Sequence, residues 1–522
     1  MCYNDKNFKD ISYNSKTTKQ GDIFVCLVGE KTDGHKYAKM AQDNGAAAIL
    51  AQTVPDDITI PVLLINDTQK RIADLAGILF DFPSRKINLI GITGTNGKGS
   101  VCTYISSILA NSNLKVGIFT SPYLERFSER MRIIDGKKGL KNFVLDDSTG
   151  EIDGNSLERI LKRVEDASNQ MVSEGYENPT EFELVTALCF IWFAEQNVDV
   201  AVLEVGLGGR LDSTNVINNP LVTAVTAIGL DHTDRLGDTI ALITGEKAGI
   251  FKPNTQAIVF DPDNMIMEEE DKSSCRDVFE NRASEVDAPL MFTKVADYSA
   301  TYTADGKMVF SVPEYDIFDY DTTLMGEHQV YNCVLAVTIA RYLNNFFDIS
   351  EEDIKEGVSL SRWKCRVESL SKDPIVLLDG GHNPQGIKSL ADSLQKIYAG
   401  NLVNKNMRLF IGVMADKDVS NMIKTLESSG ITFTSVYTTT VSNPRSMKGV
   451  ELGNKIKLVY NNLIDVKSFD DAKIAAREVL TKTIEDKTPL LVTGSLYLLG
   501  EVRGTLKSVL KEHSSCTTTD NL

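Results

Sequence analysis

Apolar positions along this chain fall into short β-branched runs separated by stretches of helical spacing. Residues 23–28, 46–50 and 62–65 read as strands, and the patterns around 36–44 and 68–82 read as helices. Together they predict a small α/β unit over 1–84, closed by Pro83. Residues 87–92 form a β-branched run suited to a strand buried on both faces, and after a polar turn the stretch 101–112 returns to helical spacing. Residues 116–119, 198–203 and 221–228 are further apolar strands, while 179–196 and the stretch from Leu324 predict helices. Residues 134–178 are charged, glycine-punctuated and weakly periodic, which predicts a surface excursion. Beyond 360, apolar runs in 375–386, 407–418, 433–446 and 490–503 each lead into a polar loop and a helical stretch, the pattern of a second doubly wound parallel sheet.

The alternation places the chain in the α/β class with three domains: 1–84, a central 85–360 and a Rossmann-like 361–510. The Ser- and Thr-rich tail, 511–522, is expected to be disordered. Length agrees, since 522 residues exceed what one core supports and a prior of roughly 150 residues per domain gives three or four. A net charge of −17 argues against nucleic acid or an anionic membrane as partner, so an anionic substrate would need a locally positive pocket. The eight cysteines show no C-x-x-C pair or metal spacing and read as reduced thiols. The start, MCYNDKNFKD, is polar where a signal peptide is apolar, and the run 184–194 is shorter than the roughly 20 residues of a membrane span. The expectation is a soluble, cytoplasmic protein.

The chemistry begins at INLIGITGTNGKGS, residues 87–100: strand, glycine-rich turn, helix. Gly94, Gly97 and Gly99 let backbone N–H groups converge on an anion, the helix N-terminus adds its dipole, and Lys98 adds a full positive charge. Such a loop binds a nucleoside triphosphate. It departs from G-x-x-x-x-G-K-[ST], because Ile92 stands at the first glycine position, Gly99 at the metal-binding hydroxyl, and Ser100 comes one place late. Glu204 ends the 198–203 run, where ligands bind in open α/β sheets, and a carboxylate beside a P-loop suits nucleotide-bound Mg²⁺. His232 directly follows the run 221–228, in the same layer. The GLGG after Glu204 lacks the full dinucleotide spacing.

TGTNGKGS resembles the P-loop of the Mur ligase superfamily, and its GKGS ending resembles the folylpolyglutamate synthase and dihydrofolate synthase branch; that likeness extends over about 87–505. It implies ATP held by Gly94, Thr95, Asn96, Gly97, Lys98, Gly99 and Ser100, joined by Asn332, Arg366 and Asp379. TSPYLERFSERMRI, 120–133, resembles the same branch and implies Ser121 as a Mg²⁺ ligand, with the loop 126–130, including Arg126 and Phe127, in the substrate wall. Thr180, Glu181, Phe182 and Glu183 are implied on the substrate side, as are Leu211, Asp212 and Ser213. Glu204 and His232 are implied metal ligands, with Lys247 of EKAGI carbamylated in support; a monovalent cation is a further candidate. Lys364 and Cys365 replace the proline and glycine usual before Arg366.

Residues 11–84 separately resemble the N-terminal domain of the muramoyl-tripeptide ligases, although Asn14 and Lys16 replace two of its three signature residues around Ser15. The resemblance implies an ATP-dependent, ADP-forming ligase joining L-glutamate to a folate or dihydropteroate through an acyl phosphate, acting as a monomer. Lys98, Glu204, His232, Lys247 and Arg366 would carry the reaction. A UDP-linked peptidoglycan precursor as acceptor is the alternative within the superfamily. A non-catalytic nucleotide switch is the alternative outside it.

Overall fold

The computed structural model describes residues 2–3, 6–7, 11–12, 15–16, 18–26, 33–64, 87–173, 177–303, 307–397 and 407–519. The helix expected over 68–82, the closing Pro83 and the signature position Asn14 lie outside them. Two compact units result: residues 1–88 with 152–201, and 89–151 with 202–522.

In the first unit, a four-stranded parallel sheet runs β1 (Ile11–Ser12), β2 (Ile23–Val25), β3 (Ala48–Ala51), β4 (Val62–Leu64). Helix α1 (Ala38–Asp43) covers it, burying Ala38 and Ala41 against Phe24, Ile49 and Ala51. The same unit holds two longer helices, Gly154–Ser173 and Glu181–Glu195. The first of these lies where a surface excursion was expected. Its buried positions are Ile160, Val164 and Ser168, an i, i+4, i+8 stripe on an otherwise charged helix, so the helical period is present in the sequence but is masked by the charge of the other faces.

Two large sheets lie almost wholly in the second unit. The central one uses β5 (Asn88–Thr93), β6 (Lys115–Phe119), β7 (Met131–Asp135), β8 (Val200–Glu204), β9 (Val222–Val225), β10 (Gln256–Phe260) and β11 (Leu290–Thr293). Their order is β11-β10-β9-β5-β8-β6-β7, with β7 antiparallel to β6 at the edge. Helix α2 (Lys98–Asn111), following β5, is buried from Ser100 to Asn111, which explains why its apolar positions cover every face rather than one stripe. Helix α3 (Gly136–Leu145) also falls inside the expected excursion and buries Leu140. Helix α4 (Ile240–Ala248) precedes β10, and α5 (Glu269–Glu285) precedes β11. An antiparallel sheet of β12 (Ser299–Tyr302), β13 (Met308–Val312) and β14 (Ile317–Thr322) then leads to α6 (His328–Leu343) and α7 (Glu351–Leu360), both packed on α2.

The C-terminal sheet has six strands: β15 (Glu368–Lys372), β16 (Ile375–Leu378), β17 (Met407–Ile411), β18 (Phe433–Thr439), β19 (Asp465–Phe469) and β20 (Leu490–Thr493). Their order is β15-β16-β20-β17-β18-β19, parallel except for the edge strand β15. The four apolar runs became β16, β17, β18 and β20. The two edge strands are half exposed, so they carry no continuous apolar run. The last helix, Leu496–Thr519, runs through most of the tail that composition had marked as disordered. Its buried stripe, including Leu498, Val502, Leu506 and Val509, nucleates it, and adding further residues to a formed helix costs little.

Candidate active site

Strand β5 delivers the glycine-rich turn to the carboxyl end of the central sheet. Beside it, β9 pairs Val225 with Thr93, so Thr226 lies directly against the turn. Thr226 donates its hydroxyl to the Asn96 carbonyl (2.7 Å), and a Cβ on Gly94 would stand 1.8 Å from Thr226 Oγ1. Only glycine fits there. The N–H groups of Thr95 and Asn96 both go to the Ala227 carbonyl, at 2.8 and 3.2 Å, while Thr95 Oγ1 donates to the Gly229 carbonyl (3.0 Å). Two of the residues expected to bind nucleotide therefore spend these groups holding the loop on β9. The first turn of α2, whose N–H groups have no partner within the helix, is left to receive an anion. Lys98 Nζ donates to the Gly94 carbonyl at 2.9 Å, folded back over its own loop.

The late hydroxyl of Ser100 is buried and accepts from Gln329 Nε2 (3.2 Å); Gln329 Oε1 in turn accepts from Asn332 Nδ2 (3.1 Å). Asn332 also closes on Gly97, where a Cβ would be 2.5 Å from its Oδ1. Asn332 is thus brought to the loop, as expected, but Ser100 is a structural link rather than an exposed hydroxyl. The missing hydroxyl at Gly99 has a steric reason: a Cβ there would stand 2.5 Å from the indole of Trp363. The sequence reading passed over Trp363, although a tryptophan three residues before a critical arginine was a usable signal.

Glu204, the last residue of β8, is buried and accepts the Ser121 backbone N–H at 3.1 Å. Burial raises its carboxyl above the usual range, opposed by the charge of Lys98, the Ser121 N–H and the charge of Arg366. A cavity of about 140 Å³ brings Glu204, Ser121, Arg366, Gly99 and Trp363 into one wall. The guanidinium of Arg366 makes no hydrogen bond or ion pair among the described residues. The backbone on either side of it is left-handed, at Cys365 (φ 56°) and Val367 (φ 50°), an outlying conformation for a β-branched residue. Asp379 holds that turn: its Oδ2 accepts the Val367 N–H (3.0 Å) and its Oδ1 the Gly381 N–H (2.8 Å). Both carboxylate oxygens of this expected ribose ligand are engaged by backbone.

Lys247, near the end of α4, is 3% exposed, and its ammonium makes no hydrogen bond or ion pair among the described residues. Burial, reinforced by the charge of Lys98 and opposed by Asp231, brings its ammonium down to about 7. His232 is over half exposed, left-handed at φ 50°, and 3.9 Å from Asp231. Among the described residues no three His, Cys, Asp or Glu side chains gather as a ready-made metal cage.

Several expected substrate residues have local work. Arg126 donates to both oxygens of Glu151, at 3.1 and 2.7 Å. Phe127 stacks edge-on to Tyr123, with Arg130 over the Tyr123 ring. Asp212 takes the N–H groups of Leu207 and Thr214 on its two oxygens, while Leu211 is exposed. In the first unit, Thr180 and Glu183 form a capping box at the start of their helix, and Glu181 is exposed. Ser15 is buried, with its hydroxyl on Met40 Sδ at 3.2 Å.

A P-loop on a parallel sheet, a buried carboxylate at the next strand end and an arginine delivered by a second, Rossmann-like sheet define a Mur-type ligase, an ATP-dependent, ADP-forming enzyme. Three families match: "Mur ligase family, catalytic domain" over residues 7–72, "Mur ligase middle domain" over 154–340, and "Dihydrofolate synthetase, C-terminal domain" over 364–508. The Bacillus subtilis dihydrofolate synthase/folylpolyglutamate synthase is 32% identical, covering 81% of this chain and 92% of its own. The Lacticaseibacillus casei folylpolyglutamate synthase is 31% identical, covering 87% and 98%. Among solved structures, Mycobacterium tuberculosis folylpolyglutamate synthase with ADP and AMPPCP superposes with a TM-score of 0.68 at 27% identity, over 83% of this chain and 94% of that one. An Escherichia coli enzyme in complex with DHPP and ADP gives 0.63 at 27% identity, over 86% and 93%. The chain belongs to the folylpolyglutamate synthase/dihydrofolate synthase family.

Proposed function

We propose that this protein uses ATP to phosphorylate the carboxylate of a folate or dihydropteroate and passes the acyl phosphate to the amino group of L-glutamate. The observation that carries the reading is the unpartnered guanidinium of Arg366 in one cavity wall with Glu204 and Ser121, at the end of the helix that begins with Lys98. A carboxylate carbon is a poor electrophile and oxide a poor leaving group, so activation by phosphate is what the amide bond requires. Lys98, released from the Gly94 carbonyl by the incoming phosphates, and Arg366 stabilise the charge on the transferred phosphoryl group.

Glu204 and Ser121 fit Mg²⁺: the donors are hard oxygens, and the buried carboxylate has one hydrogen bond, from the Ser121 N–H. Mg²⁺ normally takes one or two carboxylates and completes its shell with phosphate and water, so no protein cage is needed. When bound it would neutralise charge on the β- and γ-phosphates. Lys247, its ammonium brought down to about 7 by burial, offers at neutral pH a larger share of the free amine that carbamylation requires than an ordinary lysine does. His232 is the further ligand that the family resemblance adds to this reading, and no step depends on it.

The first unit gives no support to a UDP-linked acceptor, since the Ser15 hydroxyl is buried on Met40. Domain limits at 84/85 and 360/361, a monomeric state and a cytoplasmic location without nucleic-acid or membrane partners belong to the same proposal. The acidic net charge argues against nucleic-acid and anionic-membrane partners, and no helix among the described residues is long and apolar enough to cross a membrane. The deciding measurement is phosphate release from MgATP, which should require both a folate or dihydropteroate and L-glutamate. Release that ignores the acceptor, or that answers to a UDP-muramoyl peptide instead, would reject the reading.

A further inference from the structure

Arg366 and Ser121 reach the same cavity from different sheets, yet nothing in either local sequence fixes their separation. An ionic cluster does. Lys364 Nζ lies 2.9 Å from Glu129 Oε1, 3.2 Å from Glu125 Oε2 and 3.2 Å from Asp147 Oδ1. Arg503, on the last helix, lies 2.6 Å from Glu368 Oε1, 3.0 Å from Glu125 Oε2 and 3.1 Å from Asp147 Oδ2. Lys364 and Glu368 bracket Arg366 in sequence. Glu125 and Glu129 belong to the loop that begins at Ser121 and whose first N–H is given to Glu204.

The cluster is built into the backbone on both sides. Glu129 Oε2 accepts the N–H groups of Leu124 (2.8 Å) and Glu125 (3.2 Å), and Glu368 Oε2 accepts the N–H of Cys365 (3.0 Å). Helix and loop meet closely: a Cβ on Gly500 would stand 1.8 Å from the Leu124 carbonyl oxygen. Side-chain exposures of 5% for Arg503, 10% for Glu129 and 17% for Lys364 mean that salt screens these pairs little. A turn with two left-handed non-glycine residues persists only where its surroundings over-determine it. In the stretch 364–368, Lys364 and Glu368 are consumed by the cluster, and the Arg366 guanidinium is left free for a ligand.

We propose that Lys364 is a positioning residue, whose ammonium ties the Arg366 turn to the Ser121 loop and so sets the separation between the arginine and the carboxylate end of the phosphoryl-transfer site. The catalytic part of this inference rests on the ligase reading above; the mechanical part does not. In the full-length protein, Lys364→Met should lower kcat on the order of ten- to a hundredfold, the scale of a small misplacement of reacting groups, while the Kd for MgATP changes little. Lys364→Arg, which keeps the charge, should restore most of the turnover. Hydrogen exchange should rise in Lys364→Met over 121–130 and 362–368 together.

Wild-type turnover in Lys364→Met, or a loss that Lys364→Arg does not relieve, overturns the catalytic part. Exchange that rises in only one of the two segments overturns the tie itself. If the wild-type protein turns over no folate or dihydropteroate, the functional reading fails, and the exchange measurement still decides the tie.

Discussion

Lys98 and Glu204 carry opposite charges into a site where one must meet phosphate and the other a metal, so each is open to direct test. Lys98→Ala and Glu204→Ala should each reduce ligation on the order of 10²–10³-fold or more, with unchanged circular dichroism. Near-normal turnover in either variant would remove the proposed phosphoryl transfer. Lys247 can be tested through both chemistry and pH. Its folded-state value of about 7 lies below the ordinary lysine value, so between these values the unfolded chain binds the extra proton and stability rises with pH. The cost of burying the group is fully present below about 7 and is relieved as pH climbs toward the unfolded value. Lys247→Met should therefore raise the melting temperature more at pH 6 than at pH 9; an equal effect at both would mean the amine is not buried as described. Lys247→Ala should lose activity and regain part of it with added short carboxylic acids. A mass spectrum showing a bare lysine in a protein that tolerates its loss would end the carbamylation idea.

At the scale of elements, the question is whether a residue serves its own turn or a ligand. Thr180 caps its helix, so Thr180→Ala should cost about 1 kcal/mol in denaturant stability. If that is its whole role, the KM for the folate acceptor will not move; a rise in KM at unchanged stability would restore Thr180 to the substrate side. Asp379 fastens the left-handed turn around Arg366 with two oxygens, and asparagine offers one. Asp379→Asn should orphan one buried N–H, costing about 1–3 kcal/mol, and lower turnover more than ATP affinity. A selective loss of ATP binding would instead favour the ribose contact.

At the scale of the whole molecule, two Mur-type resemblances meet in one chain, and they make opposite predictions about the acceptor. Calorimetric titration of the full-length protein with MgATP should show binding of dihydropteroate or a reduced folate and none of UDP-N-acetylmuramoyl peptides. Saturable UDP-peptide binding that disappears in Ser15→Ala would reverse the assignment. What was legible in the sequence was whatever is local: the β-branched runs 87–92 and 198–203, the GKGS turn and the carboxylate ending a buried strand. Their chemistry is written in adjacent residues, because a strand, its turn and the helix after it are specified by short-range pattern. Hidden were features whose cause lies far along the chain. Gly99 is explained by Trp363, and the fixing of the Ser121 loop by Lys364 and Arg503. A close approach between residues hundreds of positions apart leaves no periodic trace in either segment, so the sequence determined which groups could do the chemistry, and only the packing of two sheets and their helices decided where each of them stands.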